Sequence, residues 1–486
     1  MLQRLLFTGA RRGRIAFAGV AIAVAGTAAA FAAHQPAATL TTASPKYIAG
    51  TCNTWNTPFC DAAMTPPVTT PPYAGHVFRL AQNYPRSARP DRDAPWLRIQ
   101  PKTDPGAYTR AVLAYFYEGN IHRGSIENDF EPKLNHVRAW YNAPFQDLGP
   151  YGREFVHGLT VERLSPPGEL APEQTSYWMN YAVGFYNAPG ATVLRRVWDP
   201  WRAKAGAQPS TTAAVPVPEG TVAAKLLFTT GSTDEVPFLK DAPAWDAYVY
   251  ADLHSLPKKP QPGQSPPPRV IGKVHLLQID IAVKDHRAGP TGWFFGTFVA
   301  GGGPGYHGPA LGKVWRNVAP VGLMWGNDPG YTPPPSPTPY TTGLKETWLN
   351  PDVHMLHYGY QNRLNGPVDN PKSACMSCHA TAEINLKTPM TAGSGMFAPI
   401  PMPTAPATPP PHDIAYWFRN VGPQEPFDGP DFGSTGYSLQ VMDGLRNYYT
   451  YNGASPPPTA ALRAARVKRA VQMEPARPPR DGGVPH

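Results

Sequence analysis

Several motifs that would identify an enzyme class are missing from this chain of 486 residues. There is no nucleophile elbow and no metalloprotease helix motif, so neither hydrolase class is indicated. The glycine-rich run at 301–305 contains a proline and is not followed by a helical pattern, which argues against a phosphate-binding loop. Asp280 and Asp285 lie in a strand-like region without a partner in any recognisable motif.

A strong net charge is also missing from most of the chain. The formal charge is +9, but residues 1–33 carry four arginines and no acid, and residues 461–486 carry a net charge of +4. Residues 34–460 are therefore nearly neutral, at about +1, and we expect no nucleic-acid partner. We expect the basic tail at 456–486 to be disordered. A peripheral contact between this tail and an anionic membrane stays open.

Cysteine is scarce as well, and two of the four cysteines stand in Cys375-Met376-Ser377-Cys378-His379. Cys-x-x-Cys-His is the attachment site of c-type haem, in which the thiols add to the vinyl groups and the histidine ligates the iron. A structural zinc site needs four ligands, and no second Cys/His pair stands nearby in the sequence at a suitable spacing. A dithiol oxidoreductase needs no histidine at this position. The sequence therefore predicts one covalent haem c on Cys375 and Cys378, with His379 as the proximal iron ligand.

After the haem motif takes two cysteines, two others remain, Cys52 and Cys60. In an oxidising compartment, an even number of cysteines outside the haem motif predicts a disulfide, here one bond that closes a short loop. The alternative is that both thiols are unpaired, but exported proteins usually avoid free thiols.

The N-terminus predicts export into such a compartment. Residues 1–14 are basic, residues 15–25 are apolar, and a stretch of small residues follows in which Ala30-Phe31-Ala32 fits a cleavage site. This is the order of a secretory signal, so we expect a periplasmic or otherwise exported protein with the signal at 1–33 removed. An uncleaved N-terminal membrane anchor is the alternative, because residues 16–33 are almost continuously apolar.

Proline and glycine, at 62 and 45 residues, exclude a fold of mainly long helices. The sequence predicts an α+β fold with a mainly antiparallel β core, short helices, proline-rich loops and the haem motif late in the chain. Helices are expected at 105–118, from 172 through 182 and at 191–198. Strands are expected at 221–230, 244–253, 269–284 and 291–299. After the signal, the expected segments are an extended proline-rich region (34–104), a helical or mixed region (105–215), an antiparallel β region (216–331), a proline-rich connector (332–344), a haem c region (345–455) and the tail (456–486).

The haem motif makes the chain similar to the c-type cytochromes. Three segments also resemble, in the same order, the cytochrome P460 and cytochrome c′-β superfamily: 217–225 with its Pro-Glu-Gly-strand-Lys pattern, 292–297, and 374–380 around the haem motif. The resemblance covers about residues 180–380 and implies an exported haem protein with a largely antiparallel β fold. It also implies that Lys225 would be the position of a lysine–haem cross-link, which we do not expect here. The long N-terminal extension and the roughly one hundred residues after the motif depart from that superfamily.

The sixth ligand of the iron decides the chemistry. The candidates are Met390, Met396 and Met402 after the motif, and His354 and His357 before it. A methionine or histidine ligand suits electron transfer, whereas the superfamily resemblance implies an open distal face lined by apolar side chains.

We therefore expect an exported mono-haem c-type cytochrome that transfers single electrons. Its partner would be a redox protein or a small oxidisable or reducible molecule. The alternatives are a haem enzyme that oxidises a small nitrogenous substrate or uses peroxide, and a haem protein that binds a small gas. Whether the chain is an enzyme stays open.

Overall fold

The computed structural model describes nine segments of the chain: 72–75, 80–121, 130–146, 153–203, 207–251, 268–301, 313–334, 343–386 and 414–452. Some sequence predictions lie outside these residues and remain predictions: the signal at 1–33, the Cys52–Cys60 disulfide, the ligand candidates Met390, Met396 and Met402, and the tail at 456–486. Within the described segments, no helix is both long and apolar enough to cross a membrane.

An eight-stranded antiparallel sheet forms the centre of the fold. Its strands are β1 (Thr160–Ser165), β2 (Trp178–Tyr186), β3 (Val222–Thr229), β4 (Ala244–Tyr250), β5 (Arg269–Lys284), β6 (Trp293–Ala300), β7 (Val318–Met324) and β8 (Thr347–Leu349). Seven strands are neighbours in the order β1-β2-β3-β5-β6-β7-β8, and β4 pairs with the first half of β5. Two further strands, β9 (Glu383–Asn385) and β10 (Phe432–Ser434), form a separate antiparallel pair.

Six α-helices of the described segments accompany the sheets. They are α1 (Pro105–Tyr117), α2 (Ala188–Ala203), α3 (Lys313–Arg316), α4 (Cys375–Ala380), α5 (Ile414–Trp417) and α6 (Leu439–Asn452). Three of them have six residues or fewer, and the larger sheet is antiparallel throughout. The fold is therefore α+β with a β-dominated core, which confirms the predicted class.

Local sequence signals explain the elements that were predicted well. Asp104 accepts a hydrogen bond from the backbone N–H of Ala107, so α1 begins at the predicted cap with a proline in its first turn. The alternating, β-branched run at 269–284 forms β5 over the predicted residues. Strands β3, β4 and β6 lie within about two residues of their predicted bounds, apart from a shorter C-terminal end of β4.

One predicted helix is wrong. Residues 178–186 form β2 instead of continuing a helix from residue 172. Strand β2 is paired on both sides, by β1 and β3, and sheet pairing of this kind overrides a local helical spacing. The sheet consequently includes β1 and β2 from before residue 216 and β8 from after residue 331.

The larger sheet has two chemically different faces, because successive side chains of a strand point to opposite sides. On what we call the core face, alternate residues such as Val183, Leu226, Ile281 and Phe294 are buried in one apolar cluster with Phe116 of α1. On the opposite side, which we call the cavity face, a row of directly paired residues crosses four strands: Gly184, Lys225, Asp280 and Thr297. The haem motif lies over the cavity face.

Candidate haem site

The haem motif forms the short helix α4, which is fixed at its N-terminus by local and distant hydrogen bonds. The Ser377 hydroxyl accepts a hydrogen bond from the N–H of Ala374 at 2.9 Å. The N–H of Cys375 donates to the carbonyl of Leu364 at 3.0 Å. Cys375 is buried, and its Sγ atom lies 3.5 Å from Oγ1 of Thr297 on β6. These contacts hold α4 against the cavity face of the sheet.

The two cysteines carry free thiols rather than a mutual disulfide. Burial raises the pKa of the Cys375 thiol well above its usual range and raises the pKa of Cys378 to about 12. Redox-active cysteines instead need a readily formed thiolate. Among the described residues, the groups of three metal-ligand side chains do not include either cysteine. These observations argue against the zinc and dithiol alternatives.

His379 is oriented by a backbone carbonyl from a distant part of the chain. Its Nδ1 atom lies 2.8 Å from the carbonyl oxygen of Tyr437, and its ring lies 4.7 Å from the ring of Phe295. Iron-ligating histidines are commonly held in this way, because a hydrogen bond at one ring nitrogen leaves the other free for the metal. Burial lowers the pKa of His379 to about 4, so the imidazole is neutral at pH 7, as metal ligation requires.

The carbonyl of Tyr437 reaches His379 because the two flanking segments pair. Strand β9 follows α4 and pairs with β10, which precedes Tyr437. The N–H of Thr435 donates to the carbonyl of Ala382 at 2.9 Å and continues this pairing. Tyr437 itself has a φ of 70°, a left-handed conformation that is rare for a residue with a large side chain. The surrounding hydrogen bonds maintain this conformation, and such backbone strain is typical of functional sites.

A cavity of about 1280 Å³ lies beside the motif. Cys375, Cys378 and His379 all line it, and its volume exceeds the roughly 300–1,000 Å³ of ordinary small-molecule pockets. Small side chains, including Ala223 and Ala282, line its sheet wall.

The opposite wall includes residues of α6, which comes close to the sheet at Gly184. A Cβ atom at Gly184 would lie 1.7 Å from Nε2 of Gln440, so a larger residue at this position would displace the Gln440 side chain. The Trp293 side chain, 4 % exposed, also lines the cavity, and its Nε1–H group has no hydrogen-bond partner. A large flat group with polar substituents fits such a space. The residues present therefore fit a covalently attached haem.

Ionisable side chains on the cavity face also line the cavity. Lys225 forms an ion pair with Glu162 of β1, with Nζ and Oε1 2.9 Å apart. Asp280 accepts hydrogen bonds from Oγ1 of Thr297 at 2.9 Å and from Nε2 of Gln278 at 2.6 Å. Burial, and secondarily the charge of Asp369, raises the pKa of Asp280 to about 7. The site can therefore hold both a redox cofactor and a carboxyl group that titrates near neutral pH.

The structure does not bring every candidate sixth ligand to the cavity. His354 is exposed, and His357 has its Nε2 atom 3.1 Å from the carbonyl oxygen of Pro367. Neither histidine lines the cavity, whereas Met442 of α6 does. Among the described lining residues, His379 is the only histidine. Met390, Met396 and Met402 lie outside the described residues, so the sixth ligand stays a prediction.

Sequence reasoning missed most of the residues that surround the motif. Tyr437 acts through its backbone carbonyl, which leaves no signal in the sequence. Thr297 and Phe295 are unremarkable members of a strand pattern. Asp280 does carry a signal, because it places an acid between Ile279 and Ile281 in the buried half of a long strand.

No protein-family model, no curated protein and no solved structure matches this chain. The assignment of the site therefore depends on its residues and their geometry.

Proposed function

We propose that this chain is an exported mono-haem c-type cytochrome that transfers single electrons through a haem covalently bound at Cys375 and Cys378. One observation carries the proposal: the three motif residues line one large cavity, with Nδ1 of His379 already engaged by the carbonyl of Tyr437. His379 is thus oriented as a neutral ligand, and the two thiols lie at the wall to which a vinyl edge would attach. When bound, the haem would supply a reversible one-electron couple.

The surrounding side chains would give the haem a largely apolar setting on its histidine side. Phe295 packs against the His379 ring, and Trp293 and Tyr437 lie within 6.4 Å of Phe295 or of each other, centroid to centroid. Such a setting excludes water from the ligating histidine. Burial and hydrogen bonding around the ligand are among the factors by which a protein tunes the potential of a haem.

A second candidate is a haem enzyme, and one observation favours it. Lys225, Glu162 and Asp280 place ionisable groups on the wall of the same cavity. An electron carrier needs no such groups, whereas proton transfer to or from a bound substrate does. A gas-binding haem protein would instead need an apolar distal wall, which these charged side chains do not favour.

Optical spectroscopy of the purified, haem-loaded protein tests these proposals. Haem that stays with the polypeptide after extraction with acid and organic solvent supports covalent attachment, and haem that leaves contradicts it. An electron carrier should be reduced and reoxidised reversibly, with a ferrous spectrum that carbon monoxide does not change. Rapid carbon monoxide binding would instead favour the enzyme or gas-binding alternative, because it requires an open sixth position.

A further inference from the structure

A buried carboxyl pair lies next to the predicted haem attachment site. The side-chain amide of Gln278 donates to Oδ2 of Asp280 at 2.6 Å and to Oδ2 of Asp369 at 3.0 Å. The two carboxyl groups are thus held by one NH₂ group. Asp280 is in turn linked through the Thr297 hydroxyl to the sulfur of Cys375, at 2.9 Å and 3.5 Å. A continuous set of contacts therefore joins the carboxyl pair to a cysteine of the haem motif.

The charges around Asp280 favour retention of a proton. Lys225 faces Asp280 from β3 as its direct cross-strand partner, but its ammonium group is paired with Glu162 of β1. Asp369 faces Asp280 from the segment before α4 and adds a second negative charge. The negative charges of Asp280, Asp369 and Glu162 are thus opposed by the single positive charge of Lys225. Two neighbouring carboxylates that cannot both be neutralised tend to hold one proton between them.

The side chains of Cys375, Cys378 and His379 on α4 would neither gain nor lose a proton near neutral pH in the haem-loaded protein. Cys375 and Cys378 would be thioethers, which carry no proton, and His379 would be bound to iron. The raised pKa of Asp280, about 7 through burial and the charge of Asp369, lies within the range in which a redox protein operates. Glu383 also lines the cavity, and burial raises its pKa to about 8, so the carboxyl pair is one of two carboxyl sites on the described cavity wall that can respond to a change of charge at the haem. The Asp280–Asp369 pair is the one whose contacts lead through Thr297 to Cys375.

We propose that Asp280 and Asp369 together take up one proton from solvent when the haem gains one electron from a donor protein, and release it when the electron leaves. The inference depends on the proposed haem function. Reduction of Fe(III) to Fe(II) removes one positive charge, so the affinity of the nearby carboxyl pair for a proton increases. Asp280 does not touch the iron. Its charge acts on the haem potential through space, and its contact with Cys375 runs through the Thr297 hydroxyl.

The test is a spectroelectrochemical measurement of the midpoint potential of the haem-loaded protein between pH 5 and pH 9. The potential of the parent protein should fall as the pH rises through neutrality. The limiting slope is a tenfold change in the equilibrium constant per pH unit, which is 59 mV for one electron. Asp280→Asn should abolish this slope and hold the potential near the acidic value of the parent, because the amide replaces the protonated acid.

Asp246→Asn is the matched control. Asp246 lies on β4 of the same sheet but is half-exposed and pairs with Lys273, so its substitution should leave the slope unchanged. A parent potential that does not change with pH would overturn the inference. A full slope in Asp280→Asn would also overturn it and would assign the proton to another group, such as Glu383 or the haem propionates.

Asp369→Asn provides a second route if Asp280→Asn does not fold. In this variant the fall of the potential should move to lower pH, because Asp280 loses the neighbouring charge of Asp369 while its burial remains. An unchanged pH dependence would contradict a shared proton. Redox-difference infrared spectra should show a protonated carboxyl band in the reduced parent that is absent in Asp280→Asn and altered in Asp369→Asn, and an unchanged band would contradict the inference. Covalent haem with a pH-independent potential would overturn the carboxyl proposal alone, whereas the lack of covalent haem would overturn the proposed function as well.

Discussion

The two faces of the larger sheet come from the same strands and yet differ in nearly every property. The core face is a continuous layer of large apolar side chains such as Ile281 and Phe294, both 1 % exposed or less. The cavity face carries a glycine, a lysine, an aspartate and a threonine in one cross-strand row. Because the pleat alternates side chains, one strand supplies both surfaces residue by residue.

Within a single strand, core-face residues are therefore expected to stabilise the fold, and cavity-face residues to contact the haem site. On β6, Phe294 packs against Tyr108 at 5.0 Å between ring centroids, whereas the adjacent Phe295 packs against His379 at 4.7 Å. Substitutions at neighbouring positions should therefore have unlike consequences. The cavity face is expected to control the haem, and the core face the free energy of unfolding.

The largest effect is expected where the motif meets the cavity face. The double variant Cys375→Ala/Cys378→Ala should lose all covalent haem, because no thiol remains to add to the vinyl groups. Intact mass and haem staining on denaturing gels measure this loss. The control is Met376→Leu, a volume-conserving change inside the motif at a fully buried residue, which should keep the haem. Full covalent attachment in the double variant would contradict the motif assignment.

Phe294→Ala and Phe295→Ala compare the two faces directly. Phe294→Ala should lower the free energy of unfolding by ~3–5 kcal/mol, since it leaves a cavity in the packed core. Phe295→Ala should lower it less, because its ring borders the existing cavity, but should shift the absorption spectrum by loosening His379. Urea denaturation and absorbance spectra of both variants measure the two effects. Equal spectral shifts in both variants would show that the faces are not independent.

The pH dependence of stability should distinguish the core face from the cavity wall, to which β9 contributes Glu383. Burial, together with Asp428, raises the pKa of Glu383 to about 8 from an ordinary value of 4.5. A carboxyl whose pKa is raised by folding favours the folded state below its unfolded pKa, and this contribution is lost as the pH rises through the folded pKa. Glu383→Gln should therefore gain stability relative to the parent between pH 5 and pH 8, by on the order of 1 kcal/mol or more.

Urea denaturation at several pH values measures this gain. The core-face variant Phe294→Ala serves as the control, because it should lower stability by about the same amount at each pH. A constant difference between Glu383→Gln and the parent would show that Glu383 titrates normally in the folded protein.

The smallest effect is expected at Lys225. Its ion pair with Glu162 is about one third exposed, and pairs of this kind contribute roughly 0–1 kcal/mol. Lys225→Met should therefore change stability little and leave the absorption spectrum unchanged, with an intact mass that fits one haem and no additional link. Lys273→Met, which breaks the exposed pair with Asp246, is the control. A spectral change only in Lys225→Met would indicate a lysine–haem cross-link after all.

Much of the fold could be predicted because its signals are local. Asp104 and Pro105 begin α1 through contacts within four residues, and the alternation within 269–284 defines β5 without reference to its neighbours. The helix predicted through residue 182 failed for the opposite reason. Strand β2 depends on Thr160 to Ser165 and on residues 222–229 for its pairing, and no local pattern contains that information.

The sequence by itself contains the residues that predict the chemistry at the centre of the site. Five consecutive residues specify the predicted thioether attachment and the proximal ligand, because the spacing of two thiols and an imidazole is a property of the local chain. Tertiary structure alone decided what surrounds them. The carbonyl that orients His379 comes from 58 residues away, and Asp369 meets Gln278 across 91 residues. Such contacts depend on strand pairing and helix packing over long separations, so their effects on potential and proton affinity emerge only when the chain is folded.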